Sequence, residues 1–112
     1  MITFVYNPID MMVQAAKNKY PRMEAEIQFN PELKTAGLTT FPEDGSSPLI
    51  DINASIPFET AIETLGLELA RAATKTQGND NPAWLDASAN IFEEFDRIVG
   101  EQLTKYEQNK SR

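Results

Sequence analysis

The chain has 112 residues, a net charge of −7, and neither histidine nor cysteine. Its length fits one domain, and its 41% apolar and 24% charged residues are typical of a soluble globular protein. The missing residue types exclude disulfides, thiolate or imidazole metal sites, cysteine nucleophiles and Ser-His triads. No Lys or Arg occurs from position 35 to 70, and this acidity disfavours nucleic acid as a partner. It is compatible with simple solubility, with binding to a basic protein surface, or with mimicry of nucleic acid.

In chain order, the first predicted elements are a strand and a helix within residues 2–20. Ile2–Tyr6 is rich in β-branched and aromatic residues, which favour strands. Asn7 and Pro8 then form a good helix start, and Pro21 ends the helical pattern.

Residues 23–54 predict a small sheet. Apolar and polar residues alternate strictly over Met23–Phe29, as in a half-buried strand. Leu38–Phe41 is a second predicted strand, and Leu49–Ala54 is a third whose two isoleucines share a face. The alternation and the polar turn between the last two strands predict a three- to four-stranded, mainly antiparallel sheet.

Two helices close the chain, over 57–75 and 82–106, and a tail at 107–112 is expected to fray. The whole chain, 1–112, is predicted to be a single α+β domain with its helices packed on one face of the sheet. Each helix has a predicted apolar stripe. The first stripe comprises Phe58, Ala61, Ile62, Leu65, Leu69 and Ala73. The second comprises Trp84, Ile91, Phe92, Phe95, Ile98, Val99, Leu103 and Tyr106.

Residues 67–71, Leu-Glu-Leu-Ala-Arg, nearly match a zinc-protease motif. With histidine at Leu67 and Arg71 they would read H-E-L-A-H, in which two imidazoles one turn apart bind zinc and the glutamate acts as general base. Leu67 offers no ligand atom, and Arg71 is cationic at every relevant pH. Taken alone, the segment predicts an ordinary amphipathic helix in which Glu68 pairs weakly with Arg71.

The surrounding sequence resembles a small phage and prophage family regarded as zinc metallopeptidases. The resemblance runs through "GLTTFPEDGSSPLIDINASIPFETAIETLGLELARAAT" (Gly37–Thr74) and "GNDNPAWLDASANIFEEFDRI" (Gly78–Ile98). Family members carry a strand, a Pro-Glu-Asp-Gly-like turn, another strand, and a Pro-Phe-Glu helix that leads into H-E-L-A-H. A histidine beside an aspartate, shortly before a tryptophan, resembles a third metal ligand.

The resemblance implies a zincin-like fold and assigns positions within it. Leu67 and Arg71 occupy the two ligand positions, Glu68 matches the general base, and Trp84 matches the tryptophan. None of these positions holds a histidine. The third ligand would fall among three further residues, Asn79, Asp80 and Asn81.

Because every ligand position departs from the family, the resemblance implies a pseudo-metallopeptidase with no catalytic residue, metal or cofactor. The expected function is binding to a protein partner, as a phage or mobile-element inhibitor of host machinery. Two alternatives stay open: a cryptic metal-dependent hydrolase that uses Glu68 with carboxylate ligands, and a structural or dimeric scaffold. No nucleic-acid or membrane partner is expected, and the predicted location is the cytoplasm, that of the host if the chain is phage-encoded.

Leu67 and Arg71 are expected to line the former cleft. Arg71 needs an acidic partner, for which Glu68 is nearest along the helix and Asp80 or Asp86 are candidates across it. The two substituted side chains either fill the old site or form a remodelled binding surface.

Two other features have structural explanations. Gly66 lies within a predicted helix and indicates close packing against a neighbouring element. The adjacent Glu93 and Glu94 point about 100° apart on a helix, so they are expected on a solvated face rather than in a catalytic pair.

Overall fold

The computed structural model describes residues 7–78 and 80–110, with side chains to residue 104. Within these residues, three helices and a three-stranded sheet form an α+β fold, as the sequence predicts. The predicted strand Ile2–Tyr6 lies outside the described residues. In the described part, no helix combines the length and apolar character needed to cross a membrane.

Helix α1 spans Pro8–Lys19, and the sequence explains both of its ends. The Asn7 side chain accepts a hydrogen bond from the N–H of Ile9 at 2.8 Å, which caps the first turn. Tyr20 leaves the helix, and Pro21 cannot continue it. The buried side chains of α1 are Met12, Ala15 and Ala16.

The strands β1 (Glu26–Asn30), β2 (Gly37–Thr40) and β3 (Leu49–Asn53) form a mixed sheet in the order β1-β3-β2. β2 is antiparallel to β3, but β1 is parallel to it, so the prediction of a mainly antiparallel sheet is wrong for that pair. Ile50 and Ile52 are fully buried. The most apolar strand therefore takes the centre, where both neighbours cover it.

Pro48 limits the ladder between β1 and β3. β1 starts at Glu26 rather than at Met23, and β2 ends before Phe41. Continuing the two registers by one position places Pro48 opposite Ala25 on one side and Phe41 on the other. The main-chain oxygen of Pro48 accepts a hydrogen bond from the N–H of Glu26 at 2.9 Å, so the nitrogen of Pro48 also faces β1. Because proline has no N–H, it cannot donate the next hydrogen bond of the β1–β3 ladder.

Helix α2 (Phe58–Thr74) packs on β2 and β3, and α1 and α3 (Pro82–Lys110) pack on α2 and on each other. Among the described elements only α2 contacts the sheet, so the prediction that the helices pack on one face of the sheet holds for α2 alone. Helix α2 thus lies between the sheet and the other two helices. This position buries α2 around most of its circumference, including the polar Thr64 and Glu68. A Cβ at Gly66 would lie 2.8 Å from the Phe92 ring of α3, so the prediction of close packing there is confirmed.

Some predicted core positions are exposed. Phe58, the first residue of α2, is 56% exposed, and Phe29, near the end of the edge strand β1, is 43% exposed. Leu103 is 57% exposed because the apolar stripe of α3 continues beyond the part that the other helices cover.

Helix α3 also continues farther than predicted. It reaches Lys110, so the tail that was expected to fray from 107 is helical as far as 110. Most residues after Gly100 are good helix formers, and one glycine costs only about 1 kcal/mol relative to alanine.

Candidate functional site

Glu68 lies on the side of α2 that packs against β2. The Thr39 hydroxyl donates to the main-chain oxygen of Glu68 at 3.4 Å. A Cβ at Gly37 would lie 2.5 Å from Thr64 Cγ2 and 3.1 Å from Glu68 Cγ, so only glycine permits this close approach of strand and helix. The Glu68 side chain is consequently 8% exposed. Burial raises the pKa of Glu68 above its usual 4.5, and the charge of Arg71 and its hydrogen bond partly offset that increase.

Arg71 fills the space beside this carboxylate. Its Nε donates to Glu68 Oε2 at 3.0 Å, and its Nη1 donates to the main-chain oxygen of Gly78. The guanidinium carbon lies 4.3 Å from the centroid of the Trp84 ring, which is a cation–π contact. The acidic partner is thus Glu68, the nearest of the candidates that the sequence suggests, and the Arg71 side chain is only 13% exposed.

Trp84 fixes the other side of the site. Its indole Nε1 donates to the main-chain oxygen of Leu67 at 2.9 Å, which ties α3 directly to α2. Asn81 caps the start of α3 by accepting a hydrogen bond from the N–H of Ala83 at 2.9 Å, as its position before Pro82 predicts. The cap holds Trp84 in the first turn of α3, where it packs in the core at 7% exposure.

The structure brings together four of the positions that the sequence singled out, Leu67, Glu68, Arg71 and Trp84. Leu67 is half-buried and packs against the core. Asp80 and Asp86 are exposed and Asn81 is half-buried, while Asn79 lies outside the described residues. Sequence reasoning missed the contributions of Gly37, Thr39 and the Gly78 carbonyl, because main-chain contacts leave little signature in side-chain type.

In this arrangement the Glu68 carboxylate is held by a neighbouring side chain and is not directed towards a substrate. A general base needs a lone pair directed at the proton that it removes. Glu68 Oε2 instead accepts a hydrogen bond from the Arg71 guanidinium. In the described parts of the chain, no group of three or more His, Cys, Asp or Glu side chains could hold a metal ion.

A second Glu–Arg pair connects α3 to α1. Glu94 Oε1 and Oε2 accept hydrogen bonds from Arg97 at 2.7 and 2.9 Å, and the Asn18 amide of α1 donates at 2.6 Å. The prediction of a solvated face is correct for Glu93 but wrong for Glu94, whose side chain is 8% exposed. Arg97 and then Asn18 lower the pKa of Glu94 to about 2.

A cavity of about 860 Å³ opens where three chain segments meet. These segments are the end of α1 with its following turn, the loop between β2 and β3, and the end of α2. We call this cavity the basic groove, because its lining includes the three cationic residues Lys19, Arg22 and Lys75. Lys19 and Arg22 lie at and just after the end of α1, and the groove itself depends on segments that are far apart in the chain.

No protein-family model, curated protein or solved structure matches this chain.

Proposed function

We propose that the chain is a catalytically inactive, zincin-like domain that acts by binding a partner protein. The observation that carries the proposal is the position of Arg71, held among the Glu68 carboxylate, the Trp84 ring and the Gly78 carbonyl. A positive charge at this point opposes binding of a metal cation. The guanidinium of Arg71 also pairs with Glu68, which is the one carboxylate in residues 67–71. A protein with no histidine has no imidazole to replace the lost ligands.

Binding is proposed as the remaining function because the old site is packed while much of the surface is charged. The net charge of −7 disfavours contact with nucleic-acid phosphates and leaves proteins as the favoured partner class. The resemblance to a phage family favours host machinery as the target.

The first experiment tests inactivity. The protein is dialysed against chelator, re-equilibrated with zinc, magnesium or calcium, and examined by metal analysis, thermal unfolding and a quenched-peptide hydrolysis assay. We expect no stoichiometric metal, no metal-dependent change in Tm and no hydrolysis. The variant carrying Leu67→His and Arg71→His is the positive control for metal analysis, since histidines four apart on a helix can share a zinc ion.

Stoichiometric metal with a chelator-sensitive Tm in the unaltered chain would overturn the proposal in favour of a hydrolase with carboxylate ligands. A second experiment tests binding. Tagged protein is incubated with bacterial lysate, and captured proteins are compared with those held by an unrelated domain of matched size and charge. A specific stoichiometric partner is expected. Self-association in sedimentation with no captured partner would instead indicate a dimeric scaffold.

A further inference from the structure

The basic groove is lined by cations although the molecule as a whole is acidic. The chain has 17 acidic and 10 basic residues, yet three cations converge on one cavity: Lys19 and Arg22 from the end of α1 with its following turn, and Lys75 from the end of α2. Glu24 also lines the groove, and the Ser47 hydroxyl donates to its carboxylate at 3.4 Å. Among the described residues, none of the three cations forms an ion pair.

Part of this basic character comes from cations at helix ends, but capping of those ends does not use their side chains. Lys19 ends α1 and Lys75 follows α2, where the dipoles of both helices favour cations. At the end of α2 it is the main-chain N–H of Lys75 that donates to the Arg71 carbonyl. The Lys75 side chain remains exposed, as do those of Lys19 and Arg22. These side chains are therefore available to a ligand.

The size and apolar part of the groove indicate what kind of anion fits. A cavity of about 860 Å³ is within the range that holds an extended organic ligand, and it is far larger than one phosphate or carboxylate group. Met23, Phe41 and Ala73 contribute apolar surface to the same lining. A matching ligand combines several negative charges with at least one apolar side chain.

We propose that the basic groove binds an acidic segment of a partner protein, with carboxylates on its cationic rim and an apolar side chain against Phe41 and Met23. This inference rests on the proposed function as a protein-binding domain and names the surface and the partner's chemistry. The chain's own undescribed ends do not match it, because residues 1–6 contain no acidic residue and residues 111–112 include an arginine. Charge complementarity therefore favours a separate acidic segment.

The test uses a short fluorescein-labelled peptide of glutamates interrupted by a leucine and a phenylalanine, with fluorescence anisotropy as readout. A groove variant carries Arg22→Glu and Lys75→Glu. Its control carries Lys17→Glu and Lys34→Glu, at exposed positions outside the groove. Each variant reverses two cations, one near a helix end and one in a loop, so net charge changes equally. We expect the groove variant to bind at least about tenfold more weakly, and the control to stay within about twofold of the unaltered chain.

Thermal unfolding shows whether both variants fold. If Lys75→Glu prevents folding, the comparison is repeated with Arg22→Glu alone against Lys34→Glu alone. Equal losses of peptide affinity in the groove variant and the control would contradict the groove as the binding site. Equal binding of a peptide with lysine in place of every glutamate would also contradict it. Competition by inorganic phosphate or free glutamate at the peptide's own concentration would show that the groove binds a small anion and not a protein segment. Concentration-dependent sedimentation that is lost only in the groove variant would show that the groove binds a second copy of this chain.

The proposed function can fail separately. If the groove variant captures the lysate partner as well as the unaltered chain does, the groove assignment fails while protein binding stands. If the labelled peptide binds as expected but no lysate protein is captured by either form, the peptide site stands and the proposed function fails.

Discussion

Two Glu–Arg pairs with the same spacing have opposite effects on their carboxylates. Glu68–Arg71 on α2 and Glu94–Arg97 on α3 are both three residues apart, and both glutamate side chains are 8% exposed. Yet the pKa of Glu68 is raised, and that of Glu94 is lowered to about 2. Spacing alone therefore does not determine how a helical ion pair behaves.

The difference lies in the number of donors and in the surroundings. Glu94 accepts two hydrogen bonds from Arg97 and one from Asn18, and its arginine is 52% exposed. Glu68 accepts one from Arg71 within a helix that is packed between the sheet and two helices. Where donors are few, the cost of removing charge from water exceeds the stabilisation from the partner.

Removing the arginines should show the largest contrast. Arg71→Leu leaves Glu68 buried without its cation and removes the contact with Trp84, so we expect a loss of about 3 kcal/mol in the free energy of unfolding. Arg97→Leu should cost clearly less, because Arg97 is 52% exposed, so its removal opens Glu94 to water, and Asn18 still donates to the carboxylate. Urea unfolding followed by fluorescence of the single tryptophan measures both, and equal losses would contradict the contrast.

Replacing both members of the buried pair should recover most of that loss. With Glu68→Leu added to Arg71→Leu, no charge remains buried, and we expect stability within about 1 kcal/mol of the unaltered chain. A double-mutant cycle gives the coupling energy. Losses that simply add would show that Glu68 and Arg71 stabilise the fold independently.

The helical glycines in the two regions should respond in opposite directions. Gly66→Ala places a Cβ 2.8 Å from the Phe92 ring and should destabilise by about 1–2 kcal/mol. Gly100→Ala meets nothing within 4 Å on the exposed part of α3 and should stabilise by about 0.5–1 kcal/mol. Thermal unfolding of both variants tests this, and a stabilising Gly66→Ala would mean that α2 and α3 can move apart.

The two carboxylates should give pH dependences of opposite sign. The lowered pKa of Glu94 stabilises the folded state above the usual 4.5, and this contribution is lost as pH falls towards about 2. The raised pKa of Glu68 stabilises the folded state at low pH, and this contribution is lost as pH rises from 4.5 through the folded-state pKa. Urea midpoints across acidic pH should lose the first dependence in Glu94→Gln and the second in Glu68→Gln, and unchanged profiles would contradict both.

Local sequence patterns predicted the elements better than their arrangement. The caps at Asn7 and Asn81, the break at Pro21 and the helix start at Pro82 act through neighbouring residues, so they can be identified from the sequence. The parallel pairing of β1 with β3 depends on which strand buries most apolar surface. That choice is made by the whole fold, so alternation within each strand could not reveal it.

The candidate site was predictable to a similar degree. The Glu68–Arg71 pair follows from helix geometry, whereas a place for Trp84 beside it is implied only by the family resemblance. The burial that raises the pKa of Glu68 comes from Gly37 and Thr39 on β2, which reach it only through tertiary packing. The burial of Glu94 is likewise absent from the local pattern, because its partner Asn18 lies on another helix.

Pro48 connects the extent of the sheet to the basic groove. It ends the β1–β3 ladder beside the residues that follow Met23, and it lies in the groove lining with Met23, Glu24 and Phe41. A residue with an N–H at this position could extend the β1–β3 ladder towards Glu24, which also lines the groove. One imino acid thus makes the groove sensitive to a single codon change, by which a lineage could acquire or lose this surface without altering any of its cations.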